Sequence, residues 1–276
     1  EVGEVIVTTL NPDYPLVPPV GRNGRPETAR QSFSIDAVNE FDPIFEDMYD
    51  YCEAQELEVD TLIHESGAAQ MEINFLHGDA IDLADQVFLF KRTMREAAHR
   101  HGIYATFMAK PMSDEPGSAM HIHQSLEDAE GRNLFGTSEG GNSEQFMHFI
   151  AGLQKYTPAV TALLAPNVNS YRRLTFGESA PRNVQWGVEN RTCGLRVPFS
   201  EPSARRVENR FAGADANPYL ALAATLACGY LGMLEKLEPM QEMKASAYDL
   251  PYSLPRSLEE SLSQLEQCEP IKDMLG

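Results

Sequence analysis

The chain has 276 residues, 42% of them hydrophobic, and 41 acidic side chains against 22 basic ones, for a formal net charge of −19. That length and apolar content suffice for the core of one large domain. The missing basic footprint argues against a nucleic-acid partner. Cys52, Cys193, Cys228 and Cys268 lie far apart with no CxxC spacing, which argues against structural zinc and a secreted disulfide scaffold and predicts a reducing, cytoplasmic setting. No run of about 18 apolar residues occurs, so no membrane span is predicted. Because the chain opens on Glu1 rather than Met and stops at Gly276 soon after a helix-like segment, an incomplete chain is expected.

Residues 1–8 read as a strand, followed by a Pro/Gly-rich loop to Gly24 that contains Pro15, Pro18 and Pro19. From Asp36 the apolar residues Phe41, Ile44, Phe45, Met48 and Cys52 recur at helical spacing and predict one amphipathic helix to about Glu58. Thr61–Glu65 and Met71–Leu76 are short strand candidates. A helix is expected over Asp82–His101, with Gly102 as its stop. Ile103–Ala109 and Ala119–Leu126 read as strands, and Ser143–Leu164 and Asn217–Leu237 as helices. Between those helices lies an arginine-dense stretch, Asn167–Arg210. Ser257 and Glu260 form a capping-box pattern opening a last helix to about Cys268. Strands and helices alternate without a strict βαβ rhythm, which predicts an α+β domain with a mainly antiparallel sheet flanked by helices.

Three groups of residues have the composition of a chemical site. Glu65 and Glu72 flank a small-residue loop in HESGAAQMEINF; on neighbouring strands both carboxylates reach one cation, and oxygen ligation suits magnesium or manganese rather than zinc. Taken alone, two glutamates at this separation also describe an ordinary surface. His121, His123 and Ser125 would share one face of a strand, and the preceding Gly117-Ser118-Ala119 lets a ligand approach the backbone. Arg172, Arg173, Arg182, Arg191, Arg196, Arg205, Arg206 and Arg210 crowd into one stretch of an acidic protein. Arginine is suited to bidentate phosphate and carboxylate binding, with surface salt bridges as the plain alternative. Glu208 sits among them, and in a strand Arg206, Glu208 and Arg210 share a face. Together these groups are an inventory for phosphoryl transfer. No Walker A motif or kinase glycine loop is present, so a different nucleotide fold is required.

The blocks HESGAAQMEIN, ATFMAKPM, GSAMHIHQSL, NSYRRL, ENRTCGLRVP, ARRVENRF and ANPYLALAA resemble the glutamine synthetase family, in the family's order and over nearly the whole chain. GRNGRPETARQSFSIDAVNEFD and GESAP are similar in wording to its gamma-glutamylpolyamine synthetase branch. The resemblance implies the family's catalytic-domain fold over residues 1–276, without the amino-terminal β-grasp domain that completes a neighbouring subunit's site, and a homo-oligomeric ring. It implies Glu65 and Glu72 as ligands of one Mg2+ or Mn2+, and His121 and Glu208 with Glu4 on a second. His123, Ser125, Arg196 and Arg206 match positions around ATP; Arg173, Arg191 and Arg210 match those holding glutamate and the transferring phosphate, with Gly117 in the glutamate-side loop. The implied partners are glutamate, ATP as co-substrate and an amine, joined through a γ-glutamyl phosphate.

Besides the absent β-grasp domain, two departures from this pattern stand within the chain. In Glu1-Val2-Gly3-Glu4 only Glu4 matches the family's Glu-x-Glu strand, as its second member. In Gly177-Glu178-Ser179-Ala180-Pro181, Ser179 aligns with the glutamate that closes over ammonium in glutamine synthetases, and Glu178 partly replaces the lost charge. A carboxylate there attracts ammonium and takes its proton; serine leaves a larger, less negative site, which favours an organic amine or polyamine over ammonia. Glutamine synthetase itself, and a catalytically silent assembly member of the family, are the alternatives. Tyr248, in a short YDLP match to an adenylylation site, is read as a structural tyrosine.

Overall fold

Strand β1 (Val2–Leu10) opens the chain, and Ser34 then caps α1 (Ile35–Asn39) by accepting the Ala37 N–H. The structure, a computed structural model, describes residues 2–10, 17–176 and 179–276, the first of these through its backbone alone. The single helix expected from Asp36 is two: Pro43, in the first turn of α2 (Asp42–Ala54), has no N–H to continue α1 and restarts the chain as a new helix. Glu56 takes a left-handed φ of 57°, which ends α2 short of Glu58.

Strands β2 (Val59–His64) and β3 (Gln70–Phe75) form the expected pair, and Asp79 caps α3 (Ala80–Arg100) by accepting two backbone N–H groups. Strands β4 (Tyr104–Thr106) and β5 (Met120–Gln124) are shorter than the sequence suggests. Ser143 caps α4 (Glu144–Leu164). Helix α5 (Val168–Phe176) is absent from the sequence reading because its buried face carries Ser170, Tyr171, Arg173 and Leu174, which give no apolar period.

The arginine-dense stretch continues as β6 (Trp186–Val188), β7 (Leu195–Val197) and β8 (Val207–Asn209). Asn217 caps α6 (Pro218–Leu234), and Ser257 caps α7 (Leu258–Gln267), with the Glu260 carboxylate accepting the Arg256 N–H at 2.8 Å. A further helix, α8 (Glu269–Leu275), follows directly after α7 with Pro270 in its first turn.

The eight strands form one sheet in the order β2-β3-β1-β5-β8-β7-β6, with β4 also paired to β1. Every pair is antiparallel except β6–β7. The fold is therefore the expected α+β type. One face of the sheet supplies Met71, Ile73 and Phe75 of β3 and Met120 and Ile122 of β5 to a core shared with Phe90 and Met94 of α3 and Phe149 and Leu153 of α4. Phe75 meets Phe90 edge-on at 5.2 Å, a favourable aromatic geometry. Helices α4 and α6 pack so closely that a Cβ on Gly152 would stand 2.2 Å from the Cys228 carbonyl oxygen. Among the described residues no helix is long and apolar enough to cross a membrane.

Candidate active site

Strand register assembles the opposite face of the sheet. Cross-strand partners share a face, and so do residues two apart along a strand. Ile63 stands across from Glu72, His123 across from Glu208, and Glu208 across from Arg196. Glu4 occupies the register position between Asn74 and His121. Glu65 and Arg210 follow the ends of β2 and β8 on the same side. The result is a cavity of about 550 Å³ walled by Glu65, Glu72, His121, Glu208, Arg191 and Arg210. Cavity residues from Ile63 to Arg210 thus meet because six strands are laid side by side.

Glu208 is fully buried. One carboxylate oxygen takes Arg196 Nη1 at 2.6 Å, the other takes Arg210 Nη1, and His121 Nδ1 stands 3.6 Å away. A buried carboxylate with no partner would cost several kcal/mol; two guanidinium groups remove that penalty here. Burial on its own would lower the Arg196 pKa, but Glu208 and Glu189 outweigh it and hold the guanidinium above its usual value. Glu72 Oε1 accepts from Asn74 Nδ2 at 3.2 Å, and Glu65 Oε2 accepts the Ser66 N–H at 3.0 Å. These carboxylates line the cavity.

The loop between β2 and β3 is tied to the loop bearing Gly117. Gln70 donates Nε2 to Gly117 O at 3.1 Å and to Ser118 Oγ at 3.2 Å, while its Oε1 accepts the Gly67 N–H at 3.0 Å. Gly117 is required by space: a Cβ there would stand 2.7 Å from Ala109 O and 2.8 Å from Arg173 Cγ. Arg173 lines the cavity but spends its guanidinium on the backbone, donating to Phe211 O at 2.8 Å and Arg210 O at 2.9 Å. Burial pushes its pKa down to about 10, so it stays charged at neutral pH. Its geometry holds the chain just after β8, where Arg210 enters the site.

Arg191 and Ser179 are exposed and line the cavity. Glu178 lies outside the described residues, as does the side chain of Glu4. His123, Ser125, Arg196 and Arg206 continue along the same sheet face beyond the cavity wall; Arg206 Nε donates to His123 Nδ1 at 3.1 Å, and Ser125 follows the end of β5 in an exposed position.

Phe33 and Gln70 line the cavity without a sequence signal of their own, and Tyr248, read from its YDLP match as a structural tyrosine, lines it as well. Tyr248 packs under Arg182, whose guanidinium lies 5.0 Å from the ring centroid. Burial raises its pKa, with Arg210, Arg182 and Arg173 pulling the other way. The tyrosine is thus part of the cavity wall.

Among the described residues no three His, Cys, Asp or Glu side chains gather as a closed metal cage. The donors instead come as pairs, Glu65 with Glu72 and His121 with Glu208, mostly hard oxygen, and all four line the cavity. That chemistry fits magnesium or manganese, which keep waters and take phosphate oxygens to fill their shells.

Residues 5–276 match the family model described as glutamine synthetase, catalytic domain. The chain is 38% identical over 253 residues to a glutamine synthetase of Pyrococcus abyssi, covering 88% of this chain and 57% of that protein. It is 36% identical over 253 residues to the gamma-glutamylputrescine synthetase PuuA of Escherichia coli, covering 90% of this chain and 53% of that one. The solved ADP complex of GmaS superposes with a TM-score of 0.87 at 31% identity, covering 99% of this chain and 65% of that structure. The chain therefore spans between half and two thirds of the length of these relatives. The family model, the sequence identities and the superposed fold agree that it belongs to the glutamine synthetase catalytic-domain family.

Proposed function

We propose that this chain supplies the cation, ATP and glutamate side of an ATP-dependent ligase that joins the γ-carboxylate of glutamate to an amine, and that the amine is organic. The observation that carries the reading is the one cavity that the Glu65–Glu72 and His121–Glu208 pairs share with Arg191 and Arg210, with Arg196 bonded to Glu208 beside it. Such a cavity has carboxylates for divalent cations beside guanidinium groups for phosphate, the combination that phosphoryl transfer needs. Mg2+ or Mn2+, held by Glu65 and Glu72 and by His121, Glu208 and Glu4, would supply charge neutralisation on the ATP phosphates.

The chain's own residues do the rest. His123, Ser125, Arg196 and Arg206 hold the nucleotide; Arg191, Arg210 and the Gly117 loop orient glutamate, with Arg173 fixing the backbone that carries Arg210. A glutamate γ-carboxylate oxygen attacks the ATP γ-phosphorus, a P–O bond forms, and ADP leaves. The amine nitrogen then attacks the acyl-phosphate carbon; the C–N bond forms, the C–O bond to phosphate breaks, and the amine gives up a proton. Ser179 at the acceptor end provides no negative charge, which suits a bulkier, less tightly held amine; Glu178 beside it supplies the remaining carboxylate.

The test is phosphate release by the full-length protein with ATP, Mg2+ and glutamate, comparing ammonium with putrescine, ethanolamine and methylamine. Turnover with one or more organic amines above ammonium is expected. No turnover with any amine would sink the ligase reading, and turnover confined to ammonium would make the protein a glutamine synthetase.

A further inference from the structure

The segment 21–34, which contains PETARQSFS, has no part in phosphoryl transfer, yet the fold stitches it to both loops that border the cavity. Glu27 is nearly buried and lies 2.9 Å from the Nε2 of the fully buried His64. Its other oxygen accepts the Ala69 N–H at 2.9 Å. His64 Nδ1 in turn stands 2.7 Å from the carbonyl oxygen of Glu65. Further along, Ser32 Oγ bonds Ser66 Oγ at 3.1 Å, and Arg30 donates to Asp114 O at 3.0 Å. The Phe33 N–H donates to His64 O at 2.8 Å.

These ties fix one residue in an unfavourable state. Phe33 has a φ of 62°, a left-handed conformation that costs a bulky side chain about 1–2 kcal/mol. Its side chain remains 66% exposed and lines the cavity, so neither backbone preference nor burial accounts for a phenylalanine there. Ile63 lines the same cavity from the strand that leads to Glu65, directly across from Glu72. Two apolar side chains therefore flank two carboxylates. Anionic phosphate and carboxylate groups belong by charge with Arg191 and Arg210. What fits beside Phe33 is a small amine with a short carbon substituent: its nitrogen, arriving as an ammonium, takes the ring face, the alkyl group takes ring and Ile63, and Glu65 and Glu72 keep the divalent cation assigned to them above.

We propose that Phe33 is a specificity-determining residue for the acceptor, that Glu27 is the positioning residue that holds it, and that the acceptor is a primary alkylamine. This rests on the ligase reading above. The experiment is steady-state phosphate release by the full-length protein with ATP, Mg2+ and glutamate, across ammonium, methylamine, ethylamine and propylamine. Phe33→Ala is expected to raise the KM for the alkylamines about tenfold, equivalent to roughly 1.4 kcal/mol, with a smaller change for ammonium and KM values for ATP and glutamate within about twofold of wild type. Phe33→Tyr keeps the ring and is expected to keep the alkylamine KM. Glu27→Ala should reproduce the alkylamine effect, with partial recovery in Glu27→Gln. An alkylamine KM unchanged in Phe33→Ala, or raised equally for ammonium and alkylamines, overturns the inference alone. A wild-type protein that turns over no amine removes the ligase reading, and the inference with it.

Discussion

Glu208 has the strongest electrostatic constraint in the site. Its fully buried carboxylate balances Arg196 and Arg210, so its removal acts on stability as well as chemistry. Glu208→Ala removes the carboxylate beside the buried Arg210 guanidinium and leaves Arg196 only Glu189, and is expected to destabilise the fold by about 3 kcal/mol. Glu208→Gln keeps the shape, and a drop in phosphate release of about a hundredfold or more is expected with a near-native far-ultraviolet circular dichroism spectrum. Retained turnover in Glu208→Gln would remove it from the cation site. Lys91, buried in α3 with Nζ bonded to Ala216 O at 2.9 Å, makes a pH-dependent prediction. Burial lowers its pKa from 10.5 to about 8. Between those values the folded protein binds fewer protons than the unfolded chain, so stability rises with pH. Wild type should therefore gain on Lys91→Met by up to about 3 kcal/mol as pH rises from 8 to 10.5. Denaturant melts at stepped pH read this; a difference that stays flat or shrinks contradicts the assignment. At this scale the residue types with a chemical signature were legible as candidates: Glu65, Glu72, His121 and Glu208, which the fold brings to one cavity, stand out in or beside strand segments of the sequence. Gln70 and Phe33 were not, because a glutamine bridging two loops and a ring on a cavity wall look the same in sequence as any other glutamine and phenylalanine.

Elements that obey a single local rule were readable; elements shaped by neighbours were not. The caps at Asp79, Ser143, Asn217 and Ser257 open helices where short polar residues precede apolar periods. Helix α5 was hidden because its inward face is polar, satisfied by Asp215 at Ser170 Oγ (2.6 Å) and by backbone carbonyls at Arg173. Pro43 split a helix that apolar spacing alone had joined. The contact of α4 with α6 gives a prediction at this scale. Gly152 and Gly232 face each other, and a Cβ on Gly232 would stand 2.3 Å from His148 O. Gly232→Val should force the helices apart and cost at least about 2 kcal/mol, seen as a lower thermal midpoint. Gly78, with open space around its Cβ position, is the control; Gly78→Ala should leave the midpoint within about 1 °C or raise it. Equal midpoints for the two variants would show that the close approach is not sustained in solution.

For the molecule as a whole, the paired ligand sets predict a protein that folds without cations but tightens when they and nucleotide arrive together. Adding Mg2+ and ATP to the full-length protein should raise its melting temperature, since any ligand bound only by the folded state stabilises it by mass action. Chelation with EDTA should reverse that shift and stop phosphate release. A melting temperature indifferent to Mg2+, Mn2+ and ATP would count against the cavity as the nucleotide and cation site.

The sequence by itself determined the chemical inventory, the α+β class and the family, because those depend on residue types, local periodicity and the order of motifs along the chain. The tertiary structure alone decided which of those residues meet. Strand register aligned Ile63 with Glu72 and Glu208 with both His123 and Arg196; packing committed Arg173 to backbone carbonyls; the ties through Glu27 brought Phe33 to the cavity. Each of these joins residues tens of positions apart, and such pairings are fixed by the closing of the sheet and the filling of the core, physical constraints that no local stretch of sequence contains.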